Sequence, residues 1–208
     1  MSKIKIVTLC GTSATGKSTI HDGLNNHVIS LGYDVVKLVE PGGPLECFAR
    51  EYHDRGDADP LMETAVHAVA RLMLYQESVF PRQDEERLVF SSARGVVDSV
   101  VYQGMGGDVG IETVLRMNPH VPKSVIYLCL VVDGEIGHQR ALKRQEESGK
   151  PTSRNETPER IDWLASAYRR LRDHEYFGGR FHLIDTSNMN QDRTLEECVG
   201  LVNGVLQK

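Results

Sequence analysis

Apolar and polar positions fall in alternating blocks along the chain, with short apolar runs followed by amphipathic stretches. Lys3–Cys10 (KIKIVTLC) crowds Ile4, Ile6, Val7 and Leu9 together, which predicts a buried strand. Lys17 to about Leu31 predicts a helix, closed by Gly32 in the position just past a helix end. Asp34–Val39 predicts a second strand. Pro60 to about Phe80 predicts a long helix, with a proline at its start and Pro81 beyond its end. Arg87–Ser91 (RLVFS) and Ser124–Val132 (SVIYLCLVV) predict the third and fourth strands. The fourth is the most apolar and is expected at the sheet centre. Further helices are predicted over Glu135–Glu147 and from Thr157, which heads the cap-like TPER, to about Arg172. Phe181–Asp185 predicts the last strand and Leu195–Leu206 the last helix, while the polar KPTSRNE segment, Lys150–Glu156, predicts a loop.

Strands that alternate with helices imply a parallel sheet covered on both faces, with right-handed crossovers. The expected fold is α/β, a doubly wound parallel five-stranded sheet forming one domain over residues 1–208. Ligands in such sheets sit beyond the carboxyl ends of the strands. At 208 residues one core is enough, and 40% hydrophobic content with a net charge of -5 excludes dominant disorder. That charge does not suit a binder of duplex nucleic acid. No run of about 18 apolar residues predicts a membrane span, and the apolar N-terminal stretch is too short for a secretory signal. Cys10, Cys47, Cys129 and Cys198 are widely spread without a CxxC, so free thiols in a reducing cytoplasm are expected.

The chemistry concentrates after the first strand. Gly11-Thr12-Ser13-Ala14-Thr15-Gly16-Lys17-Ser18 matches G-x-x-x-x-G-K-[ST] between a predicted strand and a predicted helix, the context this phosphate loop requires. Its glycines let the backbone curl so that successive N–H groups point inward, and the helix N-terminus adds partial positive charge. Gly11 to Thr19 are therefore expected to bind ATP, with Lys17 reaching the terminal phosphates and the Ser18 hydroxyl ligating Mg2+. The third strand runs into Ser91-Ser92-Ala93 and the fourth into Val132-Asp133. Neither is read as the Asp-ended metal strand of large motor ATPases, which points to a small kinase with its own lid.

Six further segments, in order, resemble the thymidylate kinase family of nucleoside monophosphate kinases. These are Glu40-Pro41-Gly42-Gly43 after the second strand, Arg50 in the following helix, the helix Glu63–Pro81, Arg94–Gly104 (RGVVDSVVYQG), Ser153-Arg154-Asn155-Glu156, and Ile184-Asp185-Thr186-Ser187. The resemblance implies the phosphate-loop kinase fold with a lid over about residues 148–157. It implies ATP-dependent phosphorylation of a pyrimidine deoxynucleoside monophosphate of dTMP type. By position it gives Arg50 and Arg94 to the acceptor phosphate, Arg71 to a pyrimidine carbonyl, and Glu40, His67, Tyr102 and Gln103 to the rest of the acceptor site. The loop Thr12–Thr15 has no arginine, and family members of that kind carry the charge in the lid, here Arg144, Lys150 and Arg154. Lys17, Arg94 and Arg154 are thus the expected catalytic residues. Charge neutralisation and alignment are what transfer between two anions needs most, and the arginine fork suits phosphate. A homodimer packed through helices is also implied.

Four positions depart from the family pattern. Ser13 and Ala93 stand where carboxylates are usual, Val39 replaces the arginine before EPGG, and His67 replaces the phenylalanine that stacks on thymine. These departures admit two other readings. One is a kinase of the same fold acting on a modified nucleotide such as a 5-substituted dUMP. The other is a nucleotide-binding protein that has lost transfer activity.

Overall fold

The structure, a computed structural model, describes residues 4–40, 42–54, 58–149 and 151–207, and the side chains at 50, 53 and 54 lie outside that description. Five strands, β1 (Lys5–Gly11), β2 (Asp34–Leu38), β3 (Leu88–Ser92), β4 (Ile126–Val131) and β5 (Phe181–Asp185), form one parallel sheet in the order β2-β3-β1-β4-β5. The middle place thus belongs to β1, with β4 beside it, rather than to β4 as its apolarity suggests. Both are interior strands. β3 and β4 are buried at every residue, and β1 at all but its first. The edge strands β2 and β5 mix buried and exposed positions. Burial on both faces therefore marks an interior strand without fixing its rank.

The helices are α1 (Lys17–Ser30), α2 (Glu46–Asp54), α3 (Pro60–Ser78), α4 (Val96–Ser99), α5 (Ile111–Met117), α6 (Gly134–Ser148), α7 (Pro158–Leu171) and α8 (Gln191–Leu206), among the described residues. α4 runs directly into a π-helical stretch, Val100–Met105. Side-chain caps fix the starts. The Asp59 carboxylate accepts from the Met62 amide at 2.8 Å ahead of Pro60, and Thr157 accepts from Arg160 at 3.3 Å. Asn190 accepts from the Arg193 amide at 2.9 Å, which starts α8 four residues before Leu195. The helices α4 and α5 carry no expectation of their own, because four and seven residues are too short for a helical period to show.

By internal packing the chain divides into two compact units, residues up to 8 with 28–125, and 9–27 with 126 onward. In the first, Ile6, Leu38, Leu74, Tyr75, Val79, Leu88 and Phe90 make a core beneath α3. In the second, α7 and α8 both pack on β4, and Leu128, Leu130, Ile161, Leu164, Tyr168 and Leu171 are fully buried. No described helix is long and apolar enough to cross a membrane.

Candidate functional site

In the second unit, β1 ends in Gly11 and the chain turns through Thr12–Gly16 into α1. Gly11 (φ +126°) and Gly16 (φ +79°) take left-handed backbone, as does Ala14 at φ +60°. A side chain on Gly11 would meet the Leu130 carbonyl oxygen at 1.9 Å, so β4 approaches the loop too closely for any residue with a Cβ. The Thr12 amide donates to that same carbonyl at 3.0 Å and ties the loop to β4. The Lys17 ammonium folds back over the loop, donating to the carbonyls of Gly11 (3.1 Å) and Thr12 and approaching the Thr15 hydroxyl at 3.5 Å. Ser18 and Thr19 are exposed in the first turn of α1. The Thr12 hydroxyl is buried with no hydrogen-bond partner. A curled loop at a helix N-terminus, with its ammonium at the centre, is built to receive an anion.

The segment expected to form a lid belongs to the same unit. Arg144 on α6 donates to both carboxylate oxygens of Glu156, each at 2.9 Å, and the Ser153 amide adds a bond at 2.8 Å. Burial pushes the Glu156 carboxyl up, but the hydrogen bonds from Arg144 and Ser153 and the Arg144 charge outweigh it and hold it below its ordinary value. Arg154, at the tip, is exposed, and Lys150 lies outside the described residues. Arg140 grips the turn after β5, donating to the carbonyls of Thr186 (2.8 Å), Ser187 and Met189 (both 3.4 Å). A polar recess of about 550 Å³ opens beside that turn, lined in part by Asp133, Ile136, Ser187, Asn188 and Met189.

The first unit holds a buried polar cluster around Arg71, which is only 4% exposed. Its Nε donates to Glu40 Oε2 at 2.6 Å, one Nη to Asn118 Oδ1 at 2.6 Å, and the other to the Ser99 hydroxyl at 3.1 Å. Three of the five N–H groups are thereby used and two remain. Glu40, 6% exposed at the end of β2, keeps its second oxygen buried without a partner. Four and eight residues before Arg71, His67 and Glu63 lie on the same face of α3. His67 Nε2 is 3.8 Å from Glu63 Oε1, and the Gln103 side-chain amide donates to that oxygen at 3.1 Å. Gln103 is buried and Tyr102 half-buried in the π-helical stretch, a rare geometry frequent at functional sites. Arg94 is exposed just past β3 at φ +130°, a strained backbone for a side chain of its size.

The thymidylate kinase family profile matches residues 11–195. The chain belongs to the thymidylate kinase family. It is therefore a nucleoside monophosphate kinase, a transferase that binds nucleotides. A thymidylate kinase of Caldanaerobacter subterraneus subsp. tengcongensis is 29% identical over 185 residues, covering 87% of this chain and 86% of that protein. One from Mycoplasmoides gallisepticum is 26% identical over 209 residues, covering 97% of this chain and 95% of its own length. One from Finegoldia magna is 31% identical over 116 residues, and this match spans 57% of that protein and 54% of this chain.

Against the thymidylate kinase pattern, the four departures fall in different settings. Val39 is 54% exposed, so the arginine it replaces is lost from a solvated position. Ser13 and Ala93 are half-buried, and the Ala93 amide donates to Leu38 at 3.4 Å, which keeps the end of β3 tied to β2. His67 faces a carboxylate. Among the remaining expected residues, the backbone of Arg50 lies in α2 and its side chain is outside the described residues. The structure brings Glu40 to Arg71 and joins Gln103 to Glu63 beside His67. Glu63 was detectable as the α3 residue one turn before His67, and Glu156 stood within the lid motif. Asn118 and Arg140 carried no signal in the sequence, because their partners are brought to them by tertiary packing, and Ser99 stood within the Arg94–Gly104 segment with no role of its own.

Proposed function

We propose that this kinase transfers the γ-phosphoryl group of ATP to dTMP. The observation that carries the choice of acceptor is the buried Arg71–Glu40 pair, with N–H groups to spare on one partner and an unsatisfied oxygen on the other. A donor beside an acceptor complements the O4 carbonyl and N3–H of thymine. Cytosine presents the reverse, an amino group and a bare ring nitrogen. Leaving such buried groups mismatched costs about 1–3 kcal/mol.

On the donor side, the loop Gly11–Thr19 cradles the ATP phosphates and Lys17 unfolds from its own carbonyls to meet the terminal ones. Ser18 is open at the start of α1, and no group of three His, Cys, Asp or Glu suited to a metal exists among the described residues. This fits Mg2+, which usually keeps water and phosphate oxygens in its shell and takes few ligands from protein. When bound, it neutralises charge between the phosphates. Arg94 and Arg50 hold the acceptor phosphate in line, His67 covers the base, Tyr102 packs along it, and Arg154 with Arg144 closes the lid and excludes water. We place the reaction in the cytoplasm, where the four free cysteines stay reduced. We also propose a homodimer, because Leu61, Met62 and Val69 leave apolar surface open on α3.

A coupled assay of ADP release tests the reading. ADP should appear from Mg–ATP only when dTMP is present, and Lys17→Ala should lower the rate by about a hundredfold or more, since one well-placed charge is worth several kcal/mol. Wild-type turnover by that variant, or no dependence on dTMP, would overturn it.

A further inference from the structure

Arg71 is held from three separate elements. Glu40 comes from the end of β2, Ser99 from α4, and Asn118 from the residue that closes α5. Asn118 differs from the other two in how firmly its own orientation is set. It is 2% exposed, its side-chain N–H donates to the Val114 carbonyl at 2.8 Å, and its backbone amide donates to Leu115 at 3.1 Å. The amide cannot flip without losing the Val114 bond, so its oxygen is committed to Arg71. His120, two residues on, lies close enough to feel the Arg71 charge. Its Nε2 is buried and unpartnered, and burial first and the Arg71 charge second hold it below its ordinary pKa, so it adds no competing charge.

A planar fork pinned at one nitrogen can rotate, whereas one pinned at all three nitrogens from three directions cannot. We propose that Asn118 is the positioning residue for base selection, fixing the plane of Arg71 so that its two unused N–H groups point at a pyrimidine carbonyl. The inference rests on Arg71 reading the acceptor base. Without Asn118, Glu40 still balances the charge and the Ser99 hydroxyl, longer at 3.1 Å and free to rotate, still accepts, but the fork gains room to tilt about the Nε bond. A turned fork meets an amino group with less penalty, so discrimination falls before binding does.

The test compares kcat/KM for dTMP and dCMP in the wild type, Asn118→Ala and Arg71→Lys, with Mg–ATP saturating. Asn118→Ala should reduce the dTMP-to-dCMP ratio about tenfold while KM for ATP stays within about twofold, since a single bond to a charged group is lost. Asn118→Asp, which keeps the acceptor oxygen, should recover most of the ratio. An unchanged ratio in Asn118→Ala with a collapsed one in Arg71→Lys overturns the role of Asn118 and leaves the base reading standing. An unchanged ratio in Arg71→Lys removes the base reading itself. If Asn118→Ala does not fold, the wild-type Asn118 side-chain amide resonance decides. It should shift on titration with dTMP and much less with dCMP, and equal shifts with both overturn the proposal.

Discussion

Gly11 sits where a side chain has no room. Its left-handed φ of +126° and the Leu130 carbonyl at 1.9 Å from a built Cβ both act against substitution. Gly11→Ala should lower Tm by about 10 °C through strain and overpacking and should abolish nucleotide binding, as thermal melts with and without ATP would report. A variant that melts and binds as the wild type does would show that the loop relaxes at no cost. The residue type at this position was legible in the sequence because the loop motif demands glycine there. The pairing of Arg71 with Glu40 was not, since 31 residues separate them and only the approach of β2 to α3 joins them. Arg71 stood out through its likeness to a family position. Sequence spacing alone says only that it shares a helix face with His67.

At the level of elements, the segment proposed as the lid is held by a few contacts of its own. Glu156 is buried against Arg144 and capped by the Ser153 amide, which leaves Arg154 at the exposed tip. Because the folded carboxyl lies below its ordinary value of 4.5, the latch contributes fully above that value. Its contribution is lost as pH falls through the depressed one. Hydrogen-exchange protection over residues 152–157, taken against the intrinsic rate at each pH, should therefore fall in acid for the wild type. For Glu156→Gln the protection should already be low at neutral pH and change little on acidification. The same variant should raise KM for ATP several-fold and leak ATP hydrolysis in the absence of acceptor, because a loosened lid admits water. Equal exchange in both proteins at neutral pH would show that the latch does not hold the lid. Strands β1 to β5 and the long helices were readable to within a few residues, because burial on both faces and helical periodicity write themselves into the chain. The stretch 96–117 was not. Its helices are short, its π-helical turn follows no sequence rule, and glycines fall in that turn and in the connection after it.

At the scale of the whole molecule, the five-stranded parallel sheet puts the ends of β1, β2 and β3 directly before Thr12, Val39 and Ala93, where the candidate residues begin. The strand–helix alternation made that arrangement legible in advance, whereas the ranking of β1 and β4 within it depended on which strands paired. If the apolar residues open on α3 meet a second copy, analytical ultracentrifugation should give twice the 23.2 kDa chain mass, and Met62→Asp with Val69→Asp should halve it. A wild-type monomer at micromolar concentration would show that this face of α3 does not pair. Selection of thymine by a buried donor–acceptor pair shows in kcat/KM for dTMP, dCMP and dGMP under the same saturating Mg–ATP. With that pair reading the base, dTMP should exceed dCMP by roughly ten- to hundredfold, with dGMP lower still. Equal values for dTMP and dCMP, or a preference for dCMP or dGMP, would contradict it.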